Sequence, residues 1–323
     1  MAGAKTFGGG MSEKIEIALI GVQTPIVLGR LEDKYILHPV FSAPDPLAAL
    51  AKVGGRVRAA LGHGMAGLTR AQMDLMPKLE ICALHGVGLE TTDLAEARRR
   101  GITVTIAPVL YDDVADIALA LALAAFRRVS EGDRYIRAGK WLEARLGVGR
   151  KFTGARAGII GLGRIGIEIA RRLEGFRMPI AYADPVRRDV PYRHYADAVA
   201  LARDSDVLFL AAAGAPRGAG KPIVGRDVIE ALGPRGIFVN VARGWLVDEL
   251  ALVDALVNRR IAAAGLDVFD DEPRVPAALM KLDNVVMTPH VASWSEETLS
   301  AMGNCVADNI DSWFAGKGAL TPA

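Results

Sequence analysis

Short apolar runs alternate along the chain with longer stretches in which apolar positions recur every three or four residues. Early on, residues 15–20, 57–61, 79–84 and 103–106 predict strands, and 46–53 and 91–99 predict helices between them. Asp112 and Asp113 then supply acidic caps for a helix through Val114, Ile117, Leu121 and Phe126. The apolar length of that helix predicts burial between domains or subunits, as a bridge between two domains. Residues 139–152 lose the periodicity and carry Trp141. A second series follows, with strands predicted at 157–160, 180–183, 207–210, 237–241, 265–268 and 285–287, and helices including 198–203 and 249–258. Ser293-Trp294-Ser295-Glu296 has the form of a capping box. It opens a last helix with Met302, Val306, Ile310 and Trp313 on its apolar face, expected to return to the first domain.

Such alternation belongs to parallel sheets with crossover helices, so the expected class is α/β with two Rossmann-like or flavodoxin-like parallel-sheet domains. One domain is expected at 11–110 and 291–323, with the other, 111–290, inserted into it. The small, glycine-rich residues 1–10 read as a disordered extension.

The inserted series begins with Arg156-Ala157-Gly158-Ile159-Ile160-Gly161-Leu162-Gly163-Arg164-Ile165-Gly166, a buried strand, a tight turn and the start of a helix through Ile169, Ala170 and Leu173. Gly161 permits the turn, Gly163 lets backbone amides approach a pyrophosphate, and Gly166 lets the helix pack closely on the strand. The helix start at Arg164 and Ile165 then faces the phosphates. A glycine turn can be purely structural, and the next strand decides between the readings. It ends in Asp184, eighteen residues beyond Gly166, where a ribose-binding acid falls. Residues 111–290 are therefore expected to bind a dinucleotide, leaving the other domain for substrate.

Composition narrows the partners. A chain of 323 residues can hold two separate cores. Lys plus Arg of 39 against Asp plus Glu of 37 leave a net charge of +2 with no basic block, which favours a small molecule over nucleic acid. Cys82 and Cys305 fit no C-x-x-C or Cys/His pattern, so neither a metal nor a disulfide framework is expected, and a cytoplasmic location is. The longest apolar run, 117–126, is too short for a bilayer span, and the N-terminus lacks a basic region followed by an apolar core.

Hydride transfer needs a proton donor, a charge that orients the substrate, and a dry pocket. Arg243, Glu272 and His290 each follow a predicted strand, on the edge at which open α/β sheets bind ligands. Singly, they read as a surface charge, a turn carboxylate and a hydrogen-bonded loop histidine. Together on the glycine loop's edge they make a set: His290 as general acid, Glu272 as the carboxylate that supports its protonated form, and Arg243 for a substrate carboxylate.

With these residues in place, the sequence resembles the D-2-hydroxyacid dehydrogenase family over nearly the whole chain from Ile15, and within it the glyoxylate/hydroxypyruvate reductase branch. The resemblance is carried by Asn240-Val241-Ala242-Arg243-Gly244, by Ala264-Gly265-Leu266-Asp267-Val268-Phe269 with Glu272-Pro273, and by Thr288-Pro289-His290-Val291. Asp112-Asp113-Val114-Ala115-Asp116 and Gly139-Lys140-Trp141 add to it. It implies that His290 protonates the carbonyl oxygen as hydride arrives, that Glu272 holds the imidazole, and that Arg243 binds the 2-oxo-carboxylate. It implies that Asp267 accepts a hydrogen bond from the nicotinamide carboxamide, and it places Ala242 among the cofactor-binding residues. His85-Gly86-Val87-Gly88-Leu89-Glu90 lies at the family's carboxylate loop, where amides near Val87 and Gly88 would complement Arg243 while His85 is structural. Glu90 stands where Asp is common. Trp141 and Trp294 are candidate pocket walls or, equally, packing residues.

The implied reaction is reduction of a small 2-oxo acid, such as glyoxylate or hydroxypyruvate, to a D-2-hydroxy acid by a homodimer. Asp184 would repel a 2′-phosphate and favours NAD(H), while Arg187 and Arg188 could bind that phosphate and leave NADP(H) open. The alternative is a dehydrogenase-like, nucleotide-sensing interaction protein without significant turnover.

Overall fold

The computed structural model describes residues 14–214 and 216–323, so the segment read as a disordered extension lies outside the described residues. The chain divides into two compact units. One comprises the residues up to Pro108 together with Leu299–Ala323, and the other, Val109–Thr298, interrupts it in sequence.

The first unit contains β1 (Glu16–Leu19), β2 (Ile36–His38), β3 (Val57–His63), β4 (Ile81–His85) and β5 (Thr103–Thr105). All pair in parallel, in the order β2-β1-β3-β4-β5, a flavodoxin-like arrangement. Both faces of β1, β3 and β4 are largely buried, which is why those strands read as mostly apolar runs. Ile17, Leu19, Ala59 and Leu61 join one core with Val306, Ala307 and Ile310 of the last helix. Ala18, Ile20, Ala60 and Leu84 join another with Leu50 and Met73. The edge strand β2 escapes the sequence pattern because it is only half-buried and three residues long.

The second unit contains β6 (Ala157–Ile160), β7 (Ile180–Ala183), β8 (Arg193–Tyr195), β9 (Val207–Leu210), β10 (Ile237–Asn240), β11 (Ala263–Leu266) and β12 (Val285–Met287). They form one parallel sheet in the order β12-β11-β10-β9-β6-β7-β8, the doubly wound arrangement with its switch point between β6 and β9. The sequence pattern shows six of the seven; β8 is a polar edge strand whose Arg193 is exposed. The strand expected at 265–268 lies two residues earlier, so Asp267 and Val268 stand beyond its end.

The helix Tyr111–Arg127 corrects an expectation. Its buried residues, among them Val114, Ala118, Leu121 and Phe126, pack inside the second unit on β10–β12 and on the helix Arg164–Gly175. A Cβ on Gly265 would lie 2.8 Å from the Leu121 Cβ, so the helix sits directly on the sheet. Its apolar length is explained by that face rather than by a bridge between domains. Asp112 and Asp113 lie in its first turn, where their charge suits the helix dipole, although no side chain makes a cap hydrogen bond; Asp112 and Asp116 also bind Arg172, at 2.9 and 2.5 Å. The last helix, Glu296–Phe314, is capped by Ser295, whose Oγ accepts from the Thr298 amide at 3.1 Å. Ser293 is no cap because residues 291–294 close a turn, with the Trp294 amide donating to the Val291 carbonyl. Among the described residues no helix is long and apolar enough to cross a membrane, and no three or more His, Cys, Asp or Glu residues gather to hold a metal ion.

Candidate active site

The turn after β6 uses its three glycines differently. Gly161 sits at φ +88°, and a Cβ there would lie 2.4 Å from the Ala212 Cα. A Cβ on Gly166 would lie 2.2 Å from the Gly161 carbonyl oxygen. Gly163, at φ −78°, has a conformation any residue adopts, and nothing lies within 4 Å of its missing Cβ. Packing demands glycine at 161 and 166, whereas at 163 glycine only keeps space open. Gly163 also caps the helix Arg164–Gly175 without a side-chain hydrogen bond, leaving the positive end of the helix dipole uncovered. The open space and uncovered amides fit a pyrophosphate. Arg164, next to the half-buried Ile165, lies over the Tyr111 ring at 5.4 Å and donates to its hydroxyl at 2.5 Å.

Asp184 follows β7 and ties this turn to the next. Its Oδ2 accepts from the Leu162 amide and its Oδ1 from the Val186 amide, both at 2.9 Å. The Tyr182 hydroxyl accepts from the Arg188 amide at 2.8 Å, and the Arg188 guanidinium lies 3.9 Å from Asp184 Oδ1. Arg187 is exposed.

Three strand ends meet farther along the same edge. At the end of β10, the buried Asn240 accepts from the Ala242 amide and donates to the Arg243 carbonyl, both at 3.0 Å, fixing the backbone that carries Arg243. Gly244 permits this loop to touch the next strand's exit, since a Cβ there would overlap the Phe269 carbonyl group. Past β11, Glu272 Oε1 accepts from the Phe269 amide at 3.0 Å. Past β12, His290 Nδ1 lies 2.7 Å from Glu272 Oε2. Burial works to raise the Glu272 carboxyl, but hydrogen bonds from His290 and the Phe269 amide, with the charges of His290 and Arg243, hold it below the usual carboxylate value. An ionised Glu272 can only accept, so Nδ1 carries the shared proton and Nε2 remains for exchange with a ligand. Arg243 Nη1 donates to the Ala242 carbonyl at 2.7 Å.

The structure thus gathers Arg243, Glu272, His290, Asp267 and the glycine turn within the second unit. Trp141 and Trp294 lie on that unit's surface, each 67% exposed. Val87 and Gly88 follow β4 in the first unit, after Gly86 at φ +108°. Burial and repulsion from His63 hold the nearby His85 imidazole below its usual value, and its Nε2 has no hydrogen-bond partner. Sequence reasoning missed Asn240 and Thr288, which hold loops rather than substrate. A buried amide closing an otherwise apolar strand was the available signal for Asn240.

Residues 119–292 match the family described as D-isomer specific 2-hydroxyacid dehydrogenase, NAD binding domain. The chain is 41% identical to the hydroxyphenylpyruvate reductase of Plectranthus scutellarioides over 312 residues, covering 96% of this chain and 99% of that protein. It is 42% identical to the 2-ketogluconate reductase of Gluconobacter oxydans over 314 residues, covering 97% and 99%. Among solved structures, the NADPH-dependent glyoxylate/hydroxypyruvate reductase of Sinorhizobium meliloti, in complex with NADP and malonate, is 38% identical and superposes with a TM-score of 0.86 over 96% of this chain and 97% of that one.

Proposed function

The chain belongs to the D-isomer specific 2-hydroxyacid dehydrogenases, and from that premise we propose that it reduces a small 2-oxo acid of the glyoxylate or hydroxypyruvate type to the D-2-hydroxy acid. The observation that carries this reading is the 2.7 Å contact between His290 and Glu272 on the sheet edge that also bears Arg243. The named relatives are reductases, which leaves the non-catalytic sensor without support.

On this reading Gly161, Gly163, Arg164, Ile165 and Gly166 hold the pyrophosphate, Asp184 the adenosine ribose, and Ala242 flanks the cofactor. A bound reduced nicotinamide supplies the hydride. Arg243 takes the substrate carboxylate in its guanidinium fork and so fixes the carbonyl's orientation. His290, its Nδ1 proton anchored on Glu272, gives the Nε2 proton to the carbonyl oxygen as negative charge develops there. Val87, Gly88, Trp141 and Trp294 are carried over as substrate contacts on the resemblance alone.

We assign NAD(H) as the cofactor. A 2′-phosphate would meet the Asp184 carboxylate, and Arg188, 3.9 Å from that carboxylate, is already drawn toward it. Arg187 and Arg188, both exposed, are the cations that could favour NADP(H) instead. Rates with NADH and NADPH across a panel of 2-oxo acids, with chiral analysis of the product of hydroxypyruvate (glycolate from glyoxylate is achiral), test the whole reading. No turnover with any acid rejects the enzyme, an L-product rejects the family chemistry, and a preference for NADPH of about tenfold or more, ~1.4 kcal/mol, rejects the cofactor assignment.

The same reading makes the protein a cytoplasmic homodimer. Both cysteines are free thiols, which suits a reducing compartment. Val129, Ile136, Leu142 and Val148 expose apolar side chains on one stretch of the second unit, and we assign that stretch to the partner copy. Light scattering at assay concentration distinguishes dimer from monomer.

A further inference from the structure

The geometry points to Asp267 as the positioning residue of His290, a buried carboxylate that holds the turn bearing the imidazole in its left-handed conformation; this rests on His290 being the proton donor. His290 has φ +53°. A side chain with a Cβ seldom adopts that conformation unless its surroundings impose it.

Most of the hydrogen bonds that hold this turn come from one residue, beside the bond from the His290 amide to the Thr288 carbonyl at 3.1 Å. Asp267 is 1% exposed and stands just past β11. Its Oδ1 accepts from the Thr288 hydroxyl at 2.7 Å and from the Val291 amide at 2.9 Å. Its Oδ2 accepts from the Ala292 amide at 3.0 Å, and its carbonyl accepts from the His290 amide at 2.8 Å. Three successive amides, 290 to 292, therefore converge on Asp267. Successive amides turn to one side when the chain passes through a left-handed residue, forming a concavity that holds an anion, and the Asp267 carboxylate fills it.

Asp267 is fixed in turn. Its amide donates to the Asn240 carbonyl at 3.0 Å, and the Asn240 side chain holds Ala242 and Arg243. One hydrogen-bonded chain thus runs across the exits of β10, β11 and β12 and sets Arg243 and His290 in a common frame. Both Asp267 oxygens accept from donors of the His290 turn, so the residue acts on the imidazole's position, a task beyond the nicotinamide contact that the resemblance implies. Asparagine would present an NH₂ to an amide donor, and glutamate would add a methylene where nothing is exposed.

The test measures kcat with glyoxylate and NADH, and the NADH Kd by fluorescence, for Asp267→Asn, His290→Ala and the double variant. Asp267→Asn is expected to lower kcat about 100-fold, the scale of a misplaced catalytic group, with the NADH Kd within about threefold of the parent. In the His290→Ala background the same change is expected to cost less than about twofold, because no imidazole is left to misplace. Equal losses in both backgrounds, or a Kd that rises in step with the fall in kcat, overturn the proposal. Near-parental kcat in His290→Ala alone instead overturns the assignment of the proton donor. If Asp267→Asn does not fold, Thr288→Val removes one donor of the clamp at nearly constant shape. About tenfold lower kcat at unchanged Kd then supports the clamp, and unchanged kcat overturns it.

Discussion

Replacing Gly163 with alanine puts one methyl group into space that nothing in the chain occupies. The backbone there, φ −78°, accepts alanine, and no atom lies within 4 Å of the new Cβ. Alanine is a somewhat poorer helix cap than glycine, so the folded state should lose less than about 1 kcal/mol. In a unit of this size that is a melting-temperature change of about 2–4 °C at most. Cofactor binding is another matter, because amide-to-phosphate hydrogen bonds require approach to about 2.9 Å, which the methyl group obstructs. Losing one such charge-assisted bond costs about 1.5–3 kcal/mol, or roughly 10- to 150-fold in Kd. Fluorescence titration with NADH and a thermal melt on the same sample read both quantities. Gly166→Ala is the contrasting control, since its Cβ would lie 2.2 Å from a backbone oxygen that cannot move aside, and the folded state itself should lose about 1–3 kcal/mol, lowering the melting temperature. An unchanged NADH Kd in a well-folded Gly163→Ala protein would refute the idea that phosphate approaches at this point.

Three further outcomes follow from the strand ends. His290→Ala should lower kcat by about 10²–10⁴ while NADH binding persists, checked by steady-state kinetics beside fluorescence titration. Arg243→Lys should raise KM for the oxo acid more than it weakens NADH binding, because a point charge cannot reproduce the forked contact; equal losses would move Arg243 to the cofactor site. Glu272 sits below its ordinary value of 4.5, so its charge stabilises the folded state above that pH, and the contribution disappears as pH falls through the lower folded value. Urea midpoints of the parent and of Glu272→Gln should therefore converge on acidification, and a gap that widens instead contradicts the pairing with His290.

Much of the molecule was legible before folding was considered. The apolar runs of β6, β7, β9 and β10 are buried on both faces of a parallel sheet, and such strands announce themselves in sequence. Gly161, Gly163, Gly166 and Asp184 are close enough in sequence for local spacing to predict their chemistry. The helix Tyr111–Arg127 was legible as a helix and misleading as a bridge, because periodicity records that a face is buried and not what buries it.

Sequence by itself determined the two parallel sheets, the glycine turn, and the residue types at the ends of β10, β11 and β12, since each follows from short-range pattern and from the edge on which parallel strands end. Tertiary structure alone decided which atoms meet there. The His290–Glu272 contact spans eighteen positions, and the bonds from Asp267 to Val291 and Ala292 span more than twenty. Those pairings exist because β11 and β12 lie side by side and their exits turn toward one another. Left-handed backbone at His290 is likewise invisible in a Pro-His-Val string, because the cluster of hydrogen bonds that imposes it comes from another strand.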